Sequence, residues 1–182
     1  MADRQDRTFE RARDVRLLIM DVDGVLTDGT VLYGEDFEAV FFNVHDGTGI
    51  KYLHRAGLRT AIITGRDMPG VRARAASLGI EHVIQGAKVK LDAYADIMER
   101  TGLEDGSVAY IGDDLTDIPV MARVRLAATV PGASEEVFEF AHMVTETAGG
   151  RGAVRELAEF ILKAQDKWRK ILSRYVQSTD TE

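Results

Sequence analysis

Asp21-Val22-Asp23-Gly24-Val25-Leu26-Thr27-Asp28 is the stretch on which the reading of the fold turns. The run Val15 to Met20, interrupted only by Arg16, leads straight into it. A short apolar run, β-branched at Val15 and Ile19 and stopped by a turn signal, predicts a buried strand of the parallel type. Two carboxylates follow at alternate positions. Side chains alternate faces along an extended chain, so Asp21 and Asp23 lean to the same side. Gly24 then allows a sharp turn and a close approach to a ligand. Adjacent carboxylates repel each other unless a proton, a cation or a metal sits between them. The plain alternative is a polar turn after a strand, with Asp23 or Asp28 as a cap.

Outward from that stretch, strand and helix patterns alternate. Residues 1–14 mix acids and bases without periodicity and read as a flexible N-terminal arm with no secretory signal. A β-hairpin is expected at about residues 29–45, turning at Gly34-Glu35-Asp36 and carrying Tyr33, Phe37, Phe41 and Phe42. A helix opens at Asp46-Gly47 and runs to about Ala56. Leu58–Thr64 is a second buried strand, followed by a helix to about Leu78. Val83-Ile84, Ser107–Ile111, Leu126–Val130 and Met143-Val144 read as further strands. Lys88–Arg100 reads as a helix, and Arg151 to about Tyr175 as one long amphipathic helix. This order predicts an α/β domain over residues 15–175, with a doubly wound parallel sheet, and a tail at 176–182.

Composition narrows the function classes. The chain has 182 residues, 45% of them apolar, which suffices for a full core. It has no cysteine, so disulfides and thiolate metal sites are excluded. That suits a reducing, cytoplasmic setting. No apolar stretch reaches ~18 residues, so no membrane span is expected. The net charge of −7 disfavours nucleic acid as a partner.

In open α/β sheets ligands bind beyond the carboxyl ends of the strands. Asp21 and Asp23 follow the first strand, and Thr64, Gly65 and Arg66 the second. Lys88 and Lys90 come after the third, and Asp113, Asp114 and Asp117 after the fourth. Hard oxygen ligands without nearby His or Cys point to magnesium. A Thr hydroxyl, helix N-terminal amides and a Lys suit a phosphate. An Asp carboxylate can attack phosphorus, and a second Asp can protonate the leaving alkoxide and later deprotonate water. Spacing alone does not separate Lys88 from Lys90. Asp114 and Asp117 could cap the next helix as well as support the site.

These residues resemble the four motifs of the haloacid dehalogenase superfamily of phosphohydrolases: Asp21-Val22-Asp23-Gly24, Thr64, Lys90 and Gly112-Asp113-Asp114-Leu115-Thr116-Asp117. The resemblance implies Asp21 as nucleophile and Asp23 as general acid and base. It implies Thr64 and Lys90 as phosphate-binding residues, and Lys90 is chosen over Lys88 on that ground. It implies magnesium held by Asp113, the Asp21 carboxylate and the Asp23 backbone carbonyl, with Asp114 and Asp117 supporting.

Phe42-Asn43-Val44-His45-Asp46-Gly47, Ile63-Thr64-Gly65-Arg66, Gln85-Gly86 and Ala148–Glu156 resemble, more narrowly, the family of 3-deoxy-D-manno-octulosonate 8-phosphate phosphatases of lipopolysaccharide synthesis. That resemblance implies no cap domain, a small hairpin insert, and a homotetramer in which a neighbour closes each site. It places Asn43, Val44, His45, Asp46, Gly47, Lys51, Arg66 and Arg74 at the substrate. Some relatives carry Arg where this chain has His45 and Lys51, and Arg reads a carboxylate bidentately as Lys does not. Phosphatases acting on nonulosonate 9-phosphates share the four motifs and are the alternative. A receiver-like signalling module is the distant one, disfavoured because a switch that keeps its phosphate has no use for a base at Asp23.

Overall fold

The computed structural model describes residues 2–176. In chain order the elements are α1 (Ala2–Arg13), β1 (Leu17–Met20), β2 (Leu32–Tyr33), β3 (Glu38–Ala39), α2 (Val44–Arg55), β4 (Arg59–Ile63), α3 (Pro69–Leu78), β5 (His82–Ile84) and α4 (Lys90–Thr101). After these come β6 (Val108–Ile111), α5 (Ile118–Met121), β7 (Leu126–Thr129), α6 (Val137–Phe140), β8 (Met143–Val144), α7 (Ala153–Ala164) and α8 (Trp168–Val176). The main sheet runs β5-β4-β1-β6-β7-β8 with every pairing parallel.

Alternation along β1 shows why both faces are covered. Leu18 and Met20 enter a core with α2, α3 and α7, including Leu53, Val71 and Leu157. Leu17 and Ile19 enter a second core with α4 and α5, including Tyr94, Ile97 and Val120. Each face of a parallel sheet must be buried, and here each has its own helices. Chain order moves from β1 to β4 and β5 on one side, then to β6 on the other. The crevice where that direction reverses lies at the ends of β1 and β6. Met20 pairs in register with Ile62 and Ile111, so the residues after β1, β4 and β6 emerge at one level.

Three boundaries differ from the sequence expectation. The N-terminal segment is helix α1 rather than a flexible arm. Phe9 stacks edge-on against Phe160 of α7 at 5.7 Å, and Ala12 is fully buried. With little more than those two apolar residues, its periodicity was too sparse to register.

The long C-terminal helix is two. Asp166 takes φ 55, and the Gln165 amide nitrogen side chain donates to the carbonyls of Ala12 and Val15. The apolar pattern carries no sign of the break, since Ile161, Ala164 and Trp168 continue one helix face at spacings of three and four. The tail expected at 176–182 lies, beyond Val176, outside the described residues.

The hairpin strands are only two residues each, and α2 starts earlier than Asp46 because the Asn43 side chain accepts the His45 N–H at 2.7 Å. Among the described residues, this hairpin is the only insert between β1 and α2, so no cap domain is evident.

Candidate active site

A cleft of about 480 Å³ opens at the carboxyl ends of the strands. Asp21, Asp23, Thr64, Arg66, Lys88, Lys90, Asp113 and Asp114 all line it. Its floor is a buried chain of charges. Lys90 Nζ lies 2.9 Å from Asp21 Oδ2 and 2.6 Å from Asp117 Oδ1. Burial works against the ammonium, but the two carboxylates outweigh it and hold the Lys90 pKa above the usual lysine value. Lys88 is exposed at the rim. The fold therefore separates the two lysines that spacing could not.

Asp117 is saturated. Besides Lys90, its Oδ1 accepts the Tyr110 hydroxyl, and its Oδ2 accepts the N–H groups of Asp113 and Asp114 at 3.1 Å each. Ser134 Oγ donates to Asp114 Oδ1 at 2.9 Å. These bonds fold the Gly112–Asp117 loop so that the Asp113 carboxylate faces Asp21. A Cβ at Gly24, which has φ +79, would run into that carboxylate. Gly24 is thus required both for its left-handed turn and for the close approach of Asp113.

The donor set suits a hard divalent cation. One carboxylate oxygen from each of Asp21, Asp113 and Asp117 lies within 4.8 Å of the others. Distance groups Asp117 with the other two, but its oxygens are already engaged, which leaves Asp21 and Asp113 to face a metal. Burial, then the charge of Asp117, pushes the Asp21 pKa up to about 7 despite Lys90. The same causes push Asp113 up to about 6. A buried and a partly buried carboxylate, each this reluctant to ionise, call for positive charge between them, and all-oxygen donors match magnesium-type chemistry.

Asp23 is half-buried. Its Oδ1 has no hydrogen-bond partner among the described residues, and Arg66 Nε approaches its Oδ2 at 3.9 Å. Burial holds its carboxyl above the usual range, against the pull of Arg66 and Lys90. Arg66 is fixed from the hairpin, with Nη2 2.8 Å from Glu38 and its guanidinium over the Tyr33 ring. The Thr64 hydroxyl accepts the Arg66 N–H at 3.3 Å.

A family model described as haloacid dehalogenase-like hydrolase matches residues 46–125. The 3-deoxy-D-manno-octulosonate 8-phosphate phosphatase KdsC of Yersinia pestis is 47% identical over 163 residues, covering 89% of this chain and 87% of that protein. The chain belongs to this phosphatase family of haloacid dehalogenase-like hydrolases.

Two solved structures bear on the enzyme's chemistry. The Moraxella catarrhalis phosphatase of the same name, in complex with magnesium ion, phosphate ion and a KDO molecule, matches with a TM-score of 0.91 at 38% identity. It covers 93% of this chain and 98% of that one. The cobalt-bound Haemophilus influenzae protein, deoxy-D-mannose-octulosonate 8-phosphate phosphatase, matches with a TM-score of 0.84 at 40% identity, covering 86% and 92%.

Of the residues expected at the substrate, the enzyme's own fold brings only Arg66 to the cleft. Asn43 caps α2, and Val44, His45 and Lys51 are exposed on that helix. Arg74 donates to the Asn43 carbonyl at 3.1 Å, stacks over Phe42 and lies against Gly47. Asp46 is 1% exposed and accepts the Arg155 N–H at 2.8 Å, so it is closed off from the cleft. The Gly149-Gly150 stretch is packed on the chain's own acidic loop. Arg151 pairs with Asp28 at 3.1 Å. Sequence reasoning missed Tyr110, Glu38 and Ser134. Tyr110 carried a signal, since strand alternation from Val108 sends it to the face that Lys90 and Asp117 share.

Proposed function

We propose that this enzyme removes phosphate from 3-deoxy-D-manno-octulosonate 8-phosphate in a magnesium-dependent reaction, through a phosphoryl group carried on Asp21. The observation that carries the reading is the Asp21–Lys90–Asp117 chain facing Asp113, with Asp23 two residues from Asp21.

Asp21 attacks phosphorus and the bond from phosphorus to the sugar oxygen breaks. Asp23, whose pKa is held up by burial, gives its proton to the departing alkoxide. Asp23 then takes a proton from water, the water oxygen attacks phosphorus, and the bond to Asp21 breaks to release inorganic phosphate. Lys90 and Thr64 hold the phosphoryl oxygens, and Asp117 fixes Lys90. Magnesium, held by Asp113, Asp21 and the Asp23 carbonyl, would neutralise charge on the phosphoryl group. The reaction is proposed to run in the cytoplasm, a setting that a chain without cysteine suits.

Arg66 at the mouth, held by Glu38, is a guanidinium that a second anionic group on the substrate would engage, which favours an acidic sugar. In a screen of sugar phosphates with magnesium, 3-deoxy-octulosonate 8-phosphate is expected to be turned over faster than nonulosonate 9-phosphates and neutral hexose phosphates. A hexose phosphate at the top of the ranking would refute the substrate, and full activity after exhaustive chelation would refute the metal.

The working form is proposed to be a homotetramer with a neighbour closing each cleft. Tyr33, Phe37, Phe41 and Val44 together expose apolar surface on and beside the hairpin, with Phe41 73% exposed. A neighbour would exclude water from the phosphoryl group, which the short hairpin alone does not. It would also give exposed Val44, His45 and Lys51 a route to an adjoining substrate. Sedimentation of Phe41→Asp is expected to show smaller species with reduced activity and unchanged magnesium affinity. A wild-type monomer with full activity would sink the shared-site reading.

A further inference from the structure

Asp46 sits in the first turn of α2, sealed from solvent and absent from the lining of the cleft. Its Oδ1 accepts the Arg155 N–H at 2.8 Å, its Oδ2 has no hydrogen-bond partner among the described residues, and the nearby amides of Gly152 and Val154 offset part of the cost of its burial. These amides open α7, whose own N-cap, Gly152, has no side chain to satisfy them. Asp46 therefore caps a helix that begins more than a hundred residues later in the chain. A buried carboxylate on helix N-terminal amides makes a strong, charge-assisted anchor.

What that anchor holds is the segment just before α7. Gly150 donates its N–H to the Val25 carbonyl at 2.8 Å. A Cβ at Gly149 would meet the Gly24 carbonyl, and one at Gly150 would meet the Thr27–Asp28 backbone. Asn43, three residues before Asp46, reaches the Gly150 carbonyl at 3.4 Å. Residues 149–152 thus form a strap lying backbone to backbone against the loop that follows Asp21 and Asp23. Gly150 and Gly152 both have positive φ, so the strap has little stiffness of its own and depends on its ends.

We infer that Asp46 is a positioning residue: through the Gly149–Gly152 strap it fixes the Gly24–Asp28 loop, and so the placement of Asp21 and Asp23. This rests on the proposed roles of those two acids, yet the first readout below needs neither substrate nor metal.

The test compares full-length Asp46→Ala and Asp46→Asn with wild type. In metal-free Asp46→Ala, amides of residues 22–28 are expected to exchange hydrogen roughly tenfold faster or more, with β6 and β7 unchanged. In the magnesium-loaded protein, kcat is expected to fall by about 10²-fold with KM changed far less, since small misplacement of reacting groups has that cost. Asp46→Asn keeps an acceptor for the Arg155 N–H and is expected to recover most of both.

A folded Asp46→Ala with wild-type exchange over residues 22–28 and wild-type kcat, even at a lower Tm, would overturn the inference and leave Asp46 a cap alone. If Asp46→Ala does not fold, Gly150→Ala presses on the same loop with Asp46 in place; wild-type kcat there would equally overturn it. Failure of the substrate assignment would show as absent turnover in wild type, with the exchange comparison still decisive.

Discussion

Replacing Asp21 by Asn is expected to lower kcat by more than about 10⁴-fold, the scale seen when a covalent nucleophile is removed. Asn has the shape of Asp, and its side-chain oxygen can still accept from Lys90, which Asp21 now meets at 2.9 Å. Lys90 also keeps Asp117 as its counter-charge at 2.6 Å, so no unpaired buried cation is left behind. The fold is therefore expected to survive, and the loss isolates the missing anionic oxygen. Asp23→Asn should be milder, by about 10²–10⁴-fold, the usual contribution of a general acid and base. Because Asp21 remains in that variant, phosphoprotein should accumulate and be visible by mass spectrometry after a short exposure to substrate. Steady-state rates alongside circular dichroism check both. An Asp21→Ala protein turning over near the wild-type rate would sink the covalent route.

Asp113→Asn should stabilise the metal-free protein at alkaline pH while removing its response to magnesium. In the fold the Asp21 pKa stands at about 7 and that of Asp113 at about 6, both above the ordinary value of 3.8. Between about pH 4 and 7 the folded state therefore binds more protons than the unfolded chain, and stability falls as pH rises through that window. By pH 8 both groups are ionised in the wild type, and the cost of holding Asp113 charged in its partly buried place beside Asp117 is at its largest. Removing one charge relieves it, and for a chain of this size each kcal/mol gained shows as roughly 2–4 °C in Tm.

Magnesium stabilises the wild type by binding the folded state, and that gain should vanish in the variant together with most of the activity. Thermal unfolding at pH 5 and pH 8, with chelator and with magnesium, measures all of this. A metal-free wild type no less stable at pH 8 than at pH 5, or an Asp113→Asn protein that magnesium stabilises as fully as wild type, would refute the account. Such a site trades stability for function, as sites built from like charges do.

Much of the site was legible because its residues are tied to strand ends. Asp21, Thr64 and Asp113 each follow a buried apolar run, and a parallel sheet delivers such positions to one edge whatever the details of helix packing. That logic does not reach Asn43 to Gly47, Lys51 and Arg74, which the chain's own cleft leaves out. Those residues lie on or against α2, away from strand ends, and the resemblance that brought them to the substrate carried no information on which way α2 presents them. Asp46 shows the difference most clearly. In the sequence it is a polar residue beside a glycine, and in the fold it is a buried anchor for α7.

The sequence by itself determined the alternating α/β order, the acid pair after the first strand, the oxygen-only donor set and the family. These depend on local periodicity and on residue type, which a linear chain displays directly. Tertiary structure sets Lys90 against Asp21, as the family resemblance implied where spacing did not, and alone decided that Asp117 is spent on Lys90, Tyr110 and two backbone amides. It also decided that the glycine strap clamps the acid loop and that residues 2–13 form a helix against α7. Each of these is a choice among partners distant in sequence. Such choices follow from which surfaces are buried together, and burial is a property of the packed chain rather than of any stretch of it.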